Sequence, residues 1–85
     1  MNSWIKTNEQ LPTQNGDYLI AQKILDHIIY DVVHWAFNLR MVDEYDFDGE
    51  EYNRSGFYDY DSEWGYYVER TNVLAWKPIE EYIEE

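Results

Sequence analysis

The alternation of hydrophobic and polar residues along this chain predicts β-strands more than helices. Residues 17–22, Asp-Tyr-Leu-Ile-Ala-Gln, follow an Asn-Gly turn signal and are predicted to form a first strand. Residues 28–37 are rich in β-branched and aromatic side chains and show no helical stripe, which indicates a second, longer strand. Residues 72–76 are mostly apolar and stop at Lys77-Pro78, so they predict the last strand.

The strictest alternation lies in residues 57–64. The odd positions carry a Phe followed by three acids, and the even positions carry two Tyr, a Ser and a Trp. In an extended chain these two sets lie on opposite faces. The pattern predicts either a half-buried strand or a hairpin whose turn lies near Asp61-Ser62.

Helical signals are short. Residues 7–10 can form one helical turn with Thr7 as its N-cap, before Leu11-Pro12 stops it. Residues 38–54 are ambiguous, because their helical spacing is broken by Asp-Gly at 48 and 49, and residues 80–85 predict one further turn. The predicted fold is therefore mainly β, a single small antiparallel sheet of four to five strands with short helical turns, with a small α+β fold as the alternative.

The length and composition predict one domain covering residues 1–85. A chain of 85 residues closes only one modest hydrophobic core. Its net charge of -12 favours disorder, but 19% of its residues are aromatic and bury large areas when they pack. We therefore expect a chain that folds alone or as a homodimer. There is no cysteine, and no apolar run suited to a signal peptide or a membrane span, so a cytoplasmic location is expected.

The acidic balance disfavours two classes of partner. Proteins that bind nucleic acid directly use Lys and Arg to replace the counterions around phosphate, and this chain has only six such residues against 18 acids. Anionic membranes repel the same charge. Neither direct nucleic-acid binding nor membrane binding is predicted.

Motifs for metals and catalysis are incomplete. Glu44-x-Asp46-x-Asp48-Gly49 matches the first half of a calcium loop, but Ser55 stands where the loop needs a bidentate Glu. The two histidines have no zinc-binding spacing, and no Ser lies in a nucleophile-elbow context. We therefore predict no metal, no cofactor and no enzymatic activity.

Both ends of the chain carry a familiar set of residues. Trp4-Ile5, Leu11-Pro12, Gly16, a middle His34-Trp35 and the closing residues 73–79 resemble the short phage and bacterial proteins of domain of unknown function family 551. Members of that family typically open with Trp-Ile and Leu-Pro and close with a strand that ends Trp-x-Pro-Leu-Pro. The resemblance implies a phage or mobile-element setting and implies no activity.

Two positions depart from that pattern. Glu80 stands where a second Pro is common, and Ala75 stands where a His often precedes the last Trp. The segment 43–64 is also more acidic and more aromatic than the resemblance leads us to expect. Any role attached to the missing His does not carry over to this chain.

The segment 43–64 is the candidate functional region, with nine carboxylates and one cation, Arg54. One hypothesis is that Tyr58, Tyr60 and Trp64 pack inward while the acids keep the domain soluble. The other is that spaced carboxylates imitate phosphates, with Tyr rings beside them as contacts. Its predicted partner-binding residues are Asp43, Glu44, Asp46, Asp48, Glu50, Glu51, Asp59, Asp61, Glu63, Tyr58 and Tyr66.

The leading functional hypothesis is a non-catalytic accessory protein that binds a host protein with a basic surface, in its most concrete form as a nucleic-acid-mimicking inhibitor. A basic groove would attract such a surface from a distance. The alternatives are a small-ligand binder, in which Trp35, Trp64 and Trp76 cage a nucleotide or metabolite, and a plain structural module of a homo-oligomer.

Overall fold

The computed structural model describes residues 4–79 and forms one six-stranded antiparallel sheet. The strands are β1 (Ile5–Lys6), β2 (Gly16–Ile24), β3 (His27–Ala36), β4 (Gly56–Asp61), β5 (Tyr66–Arg70) and β6 (Val73–Pro78). Their order across the sheet is β1-β6-β2-β3-β4-β5. Two short 3-10 turns, Leu39–Met41 and Glu50–Tyr52, lie in the connection between β3 and β4.

The mainly β prediction is confirmed, with six strands instead of four to five. The extra strand is β1, which is two residues long and exists only by pairing with β6, whereas β5 is the second strand of the hairpin that β4 begins. The hairpin turn follows Asp61, in agreement with the predicted alternative of a hairpin whose turn lies near Asp61-Ser62. Residues 4–79 contain no α-helix, so the α+β alternative finds no support there. The turn predicted for residues 80–85 lies outside the described residues.

The prediction for residues 7–10 is only partly right. A turn does form, since the amide groups of Glu9 and Gln10 both donate to the carbonyl oxygen of Lys6 at 3.0 Å. The predicted N-cap at Thr7 is wrong, because its Oγ1 is buried and has no hydrogen-bond partner among residues 4–79. The turn is closed by backbone groups alone.

One face of the sheet, the core face, carries the main hydrophobic cluster. Its members come from four adjacent strands and are Ile20, Val33, Trp35, Phe57 and Trp76. The connection between β1 and β2 covers them: Pro12 is buried, and the Trp76 Nε1 donates to the carbonyl oxygen of Gln10 at 2.9 Å. Irregular chain covers this face, since residues 4–79 contain no α-helix that could do so.

The opposite face, the loop face, is covered at its β4–β5 end by the connection 37–55. Phe47 and Leu39 are completely buried there, and the Phe47 ring meets the Tyr58 ring edge-on at 6.3 Å between centroids. A hydrogen bond of 2.9 Å from the Leu39 amide to the Arg54 carbonyl brings the two ends of the connection together. The molecule thus has a small core on each face.

Phe47→Ala should lower the free energy of unfolding by about 3–5 kcal/mol, because it empties the centre of the loop-face core. Met41→Ala, at a side chain 82% exposed in the same connection, is the control and should cost less than about 0.5 kcal/mol. Urea unfolding of both variants measures the difference. Equal effects would mean that the connection does not pack on the sheet.

Candidate functional site

Several predicted site carboxylates hold the backbone of the acidic segment in place. Asp43 accepts a hydrogen bond from the Tyr45 amide at 2.8 Å, and Asp46 accepts one from the Tyr67 amide at 2.9 Å. Asp61 accepts from two amides of the β4–β5 turn, at 3.0 and 3.1 Å. Irregular chain has many amide groups without strand partners, and short acidic side chains satisfy them. These three carboxylates therefore stabilise the backbone of the segment whether or not a partner is bound.

Asp59 belongs to an ion-pair network on the core face. The Arg70 guanidinium lies 2.7 Å from Asp31 and 3.1 Å from Asp59, and it also donates to the Gln22 side chain at 3.0 Å. Gln22 is buried and in turn donates to the Thr71 carbonyl at 2.8 Å. The three acids at 59, 61 and 63 therefore do not form a row of free carboxylates: Asp59 is paired with Arg70, Asp61 caps a turn, and only Glu63 is exposed without a partner among residues 4–79.

The remaining predicted acids are free at the surface. Glu44, Asp48, Glu50, Glu51 and Glu63 are exposed and make no side-chain hydrogen bond or ion pair within residues 4–79. We call these five residues, together with Tyr45 and Trp64, the acidic end. Tyr45 is 91% exposed and Trp64 is 70% exposed, although large aromatic side chains bury readily. Asp46, which binds β5 through the Tyr67 amide, ties the loop that carries Tyr45 to the outer strand of the sheet.

The two predicted aromatic contacts lie in different surroundings. Tyr58 is half-buried on the loop face, where its ring lies 5.2 Å from His34 and 5.7 Å from Tyr67. Tyr66 is exposed at the start of β5. The prediction that Tyr60 and Trp64 pack inward with Tyr58 is wrong, because both are exposed. Sequence alternation predicted the faces of residues 57–61 correctly, but it did not predict the turn at residues 62–65 or how far each face is covered.

The strand register builds a polar row that the sequence did not indicate. Asp17, His34 and Tyr58 lie opposite one another on three adjacent strands. His34 Nδ1 contacts the Asp17 carboxylate, and both side chains remain partly exposed at the edge of a depression of ≈ 500 Å³. An acceptor at Nδ1 fixes the orientation of the imidazole and leaves Nε2 for another contact. Asp17 and His34 are distant in sequence, so only the pairing of β2 with β3 could reveal this row.

Burial raises the pKa of Tyr58 above 10.0, and the nearby Tyr67 and Asp17 raise it further.

The three tryptophans proposed as a ligand cage are not arranged as one: Trp35 and Trp76 share the core cluster, and Trp64 is exposed in the β4–β5 turn. No three His, Asp or Glu side chains within the described part of the chain are grouped to hold a metal ion. Nor does the structure contain, between residues 4 and 79, a helix long and apolar enough to cross a membrane.

The three lysines lie on strands away from the acidic end. The three arginines do not: Arg40 lines a depression with Glu44 and Asp48, and Arg54 and Arg70 pair with acids of β4 and β5. The lysines Lys6, Lys23 and Lys77 are on β1, β2 and β6, and the register places all three on the loop face. The Lys77 ammonium lies 4.7 Å from the centre of the Trp4 ring, and Trp4 packs against Tyr30 on β3. The acidic end lies in the connection between β3 and β4 and in the turn between β4 and β5.

Arg70→Met should lower the free energy of unfolding by about 1–3 kcal/mol, because it leaves Asp31, Asp59 and the buried Gln22 without their shared donor. Lys23→Met is the control: Lys23 is exposed and makes no ion pair among residues 4–79, so its loss should change the free energy of unfolding by at most about 0.5 kcal/mol. Urea unfolding compares the two variants. A larger loss from Lys23→Met would contradict the role assigned to Arg70.

The raised pKa of Tyr58 predicts alkaline destabilisation. Above pH 10.0 the unfolded chain loses the phenol proton while the folded protein keeps it, so the stabilising contribution is complete below that pH and is lost as pH rises through the folded pKa. Unfolding free energies measured at stepped alkaline pH should fall less steeply for Tyr58→Phe than for the unmodified protein. Identical slopes would contradict the burial of the phenol.

No protein-family model, no curated protein and no solved structure matches this chain. The resemblance to domain of unknown function family 551 rests on the residues quoted for it.

Proposed function

We propose that this protein is a non-catalytic accessory protein of the phage or mobile-element type, which captures a basic host protein in the cytoplasm through its acidic end. The observation that carries the proposal is Tyr45, which is 91% exposed beside Glu44 and Asp48 in a depression that Arg40 also lines. A rigid aromatic ring among free carboxylates is a typical anchor at a protein interface. Trp64 beside Glu63 provides a second ring of the same kind.

The uneven charge supports the same proposal. Ten of the 18 acids lie in residues 41–70, whereas the three lysines lie on β1, β2 and β6. A basic partner is therefore attracted most strongly to the end of the sheet that carries these acids, which orients it during approach. Such attraction raises the association rate and weakens as salt rises.

The finer proposal is that the acidic end occupies the nucleic-acid groove of its partner as an inhibitor. Its support is the set of five exposed carboxylates in a chain with a net charge of -12. The spacing of these carboxylates follows the irregular connection and the hairpin turn, not the repeat of a single strand. The proposal therefore depends on charge and on the exposed rings.

The test reverses charge at the acidic end and compares it with an equal reversal elsewhere. Glu44→Lys/Asp48→Lys should abolish capture of host proteins from a bacterial lysate. Glu9→Lys/Asp26→Lys changes the net charge by the same amount at exposed acids outside the acidic end and should leave capture intact. Asp59 and Asp61 are unsuitable for reversal, because they hold Arg70 and the hairpin turn.

The behaviour of the captured protein distinguishes general capture of a basic protein from occupation of a nucleic-acid groove. Release by high salt, together with competition by duplex DNA, would support occupation of a nucleic-acid groove. Release by high salt without competition by DNA would support capture of a basic protein by another surface. Equal capture by both charge-reversed variants would contradict any role of the acidic end.

A further inference from the structure

The loop face of the sheet is covered over one part and open over the other. The connection 37–55 covers it near β4 and β5, where Phe47 is completely buried. Over β3 and the strands beyond it the face is open, since Ile28, Tyr30 and Val32 are 43%, 64% and 50% exposed. These three residues succeed one another on the same side of β3. A continuous group of exposed apolar side chains on a sheet indicates a docking surface.

The open part of the loop face also holds the three lysines. None of them forms an ion pair with a carboxylate among residues 4–79. The strands β1, β6, β2 and β3 present one acid to this face, Asp17, and it contacts His34. This surface is therefore locally basic, although the chain has 18 acids and only six Lys and Arg residues. We call it the open half, and its residues are Trp4, Lys6, Lys23, Ile28, Tyr30, Val32 and Lys77.

The connection that covers the other part has the opposite charge. Its Tyr45 ring is 91% exposed, and Arg40 is its one cation without a carboxylate partner among residues 4–79. Against this cation stand four exposed acids without such partners, Glu44, Asp48, Glu50 and Glu51. The two parts of the loop face thus each combine exposed apolar surface with charge, and the signs of the charge are opposite. Surfaces of this kind complement each other at protein interfaces.

We propose that two copies of this chain form a dimer in which the connection 37–55 of each copy lies on the open half of the other. A twofold axis parallel to the strands, placed between two facing loop faces, forms both contacts at once. The acids of the connection then face the lysines, and the Tyr45 ring packs on the apolar residues around Tyr30. The interface is closed, so the contact ends at two copies and does not extend into a filament.

A second copy fits the open half better than an unrelated polyanion. A polyanion meets only three lysines on a protein with a net charge of -12, and it offers no apolar surface of matching shape. Two copies also repel each other at long range, but salt screens this repulsion beyond about 8 Å at physiological ionic strength. The dimer covers part of the acidic end, so a basic host protein competes with the second copy. That competition rests on the function proposed above, whereas self-association does not.

Charge reversal on each surface, followed by mixing, tests the dimer. In sedimentation velocity at physiological salt, the unmodified protein should dimerise as its concentration rises. Lys6→Glu/Lys23→Glu and Glu44→Lys/Asp48→Lys should each weaken self-association at least about tenfold, because like charges then meet in both contacts. An equimolar mixture of the two variants should dimerise as strongly as the unmodified protein, since opposite charges meet again. The mixed pair has the same total charge as two unmodified copies, so net charge does not explain a recovery.

A matched pair of tyrosine variants tests the apolar contact without changing charge. Tyr30→Ser should weaken self-association severalfold, because it removes an exposed ring from the centre of the open half. Tyr66→Ser removes a ring that is also exposed but lies on the core face of β5, and it should have no effect.

Three results would overturn the dimer: an unmodified protein that stays monomeric at millimolar concentration, a mixture that does not associate, or equal effects of the two tyrosine variants. Capture of basic host proteins is measured separately on Lys6→Glu/Lys23→Glu. This variant keeps the acidic end intact, so it should lose self-association and retain capture. The dimer and the proposed function can therefore fail independently of each other.

Discussion

Residues 4–79 form a single sheet and contain no α-helix, so the connections between strands must cover both of its faces, and the rest of this structure depends on that constraint. The chain between β1 and β2 covers the core face, and the chain between β3 and β4 covers the loop face. Irregular chain buries apolar residues such as Phe47 and Leu39, but it also presents amide groups that no strand satisfies. The acidic segment contains aromatic residues that fill the core and acids that accept hydrogen bonds from these amide groups.

The acids and the aromatic residues of that segment therefore stabilise the same part of the fold. Phe47 and Tyr58 build a core, while Asp43, Asp46 and Asp61 accept hydrogen bonds from the amides of the turns around it. What remains after this structural use is a smaller set of free carboxylates with Tyr45 and Trp64 exposed among them. The proposed partner-binding surface is this remainder, and not the whole acidic segment.

Capture of a basic protein depends on long-range attraction and weakens with salt. The Arg70 network lowers the charge that the core face adds to this attraction, because Asp31 and Asp59 share one guanidinium.

The sequence by itself determined the strands whose signals are local. Alternation placed Phe57 and Asp59 on one face and Tyr58 on the other, and the β-branched run located β3 within one residue at each end. The tertiary structure decided everything that depends on distant pairing. The two-residue β1, the Asp17–His34 contact and the convergence of Asp31 and Asp59 on Arg70 join residues far apart in the chain, so no local pattern encodes them. For the same reason the exposure of Tyr45 and the unpaired Nε1 of Trp35 could be seen only in the fold, since each depends on what covers a face and not on the residue itself.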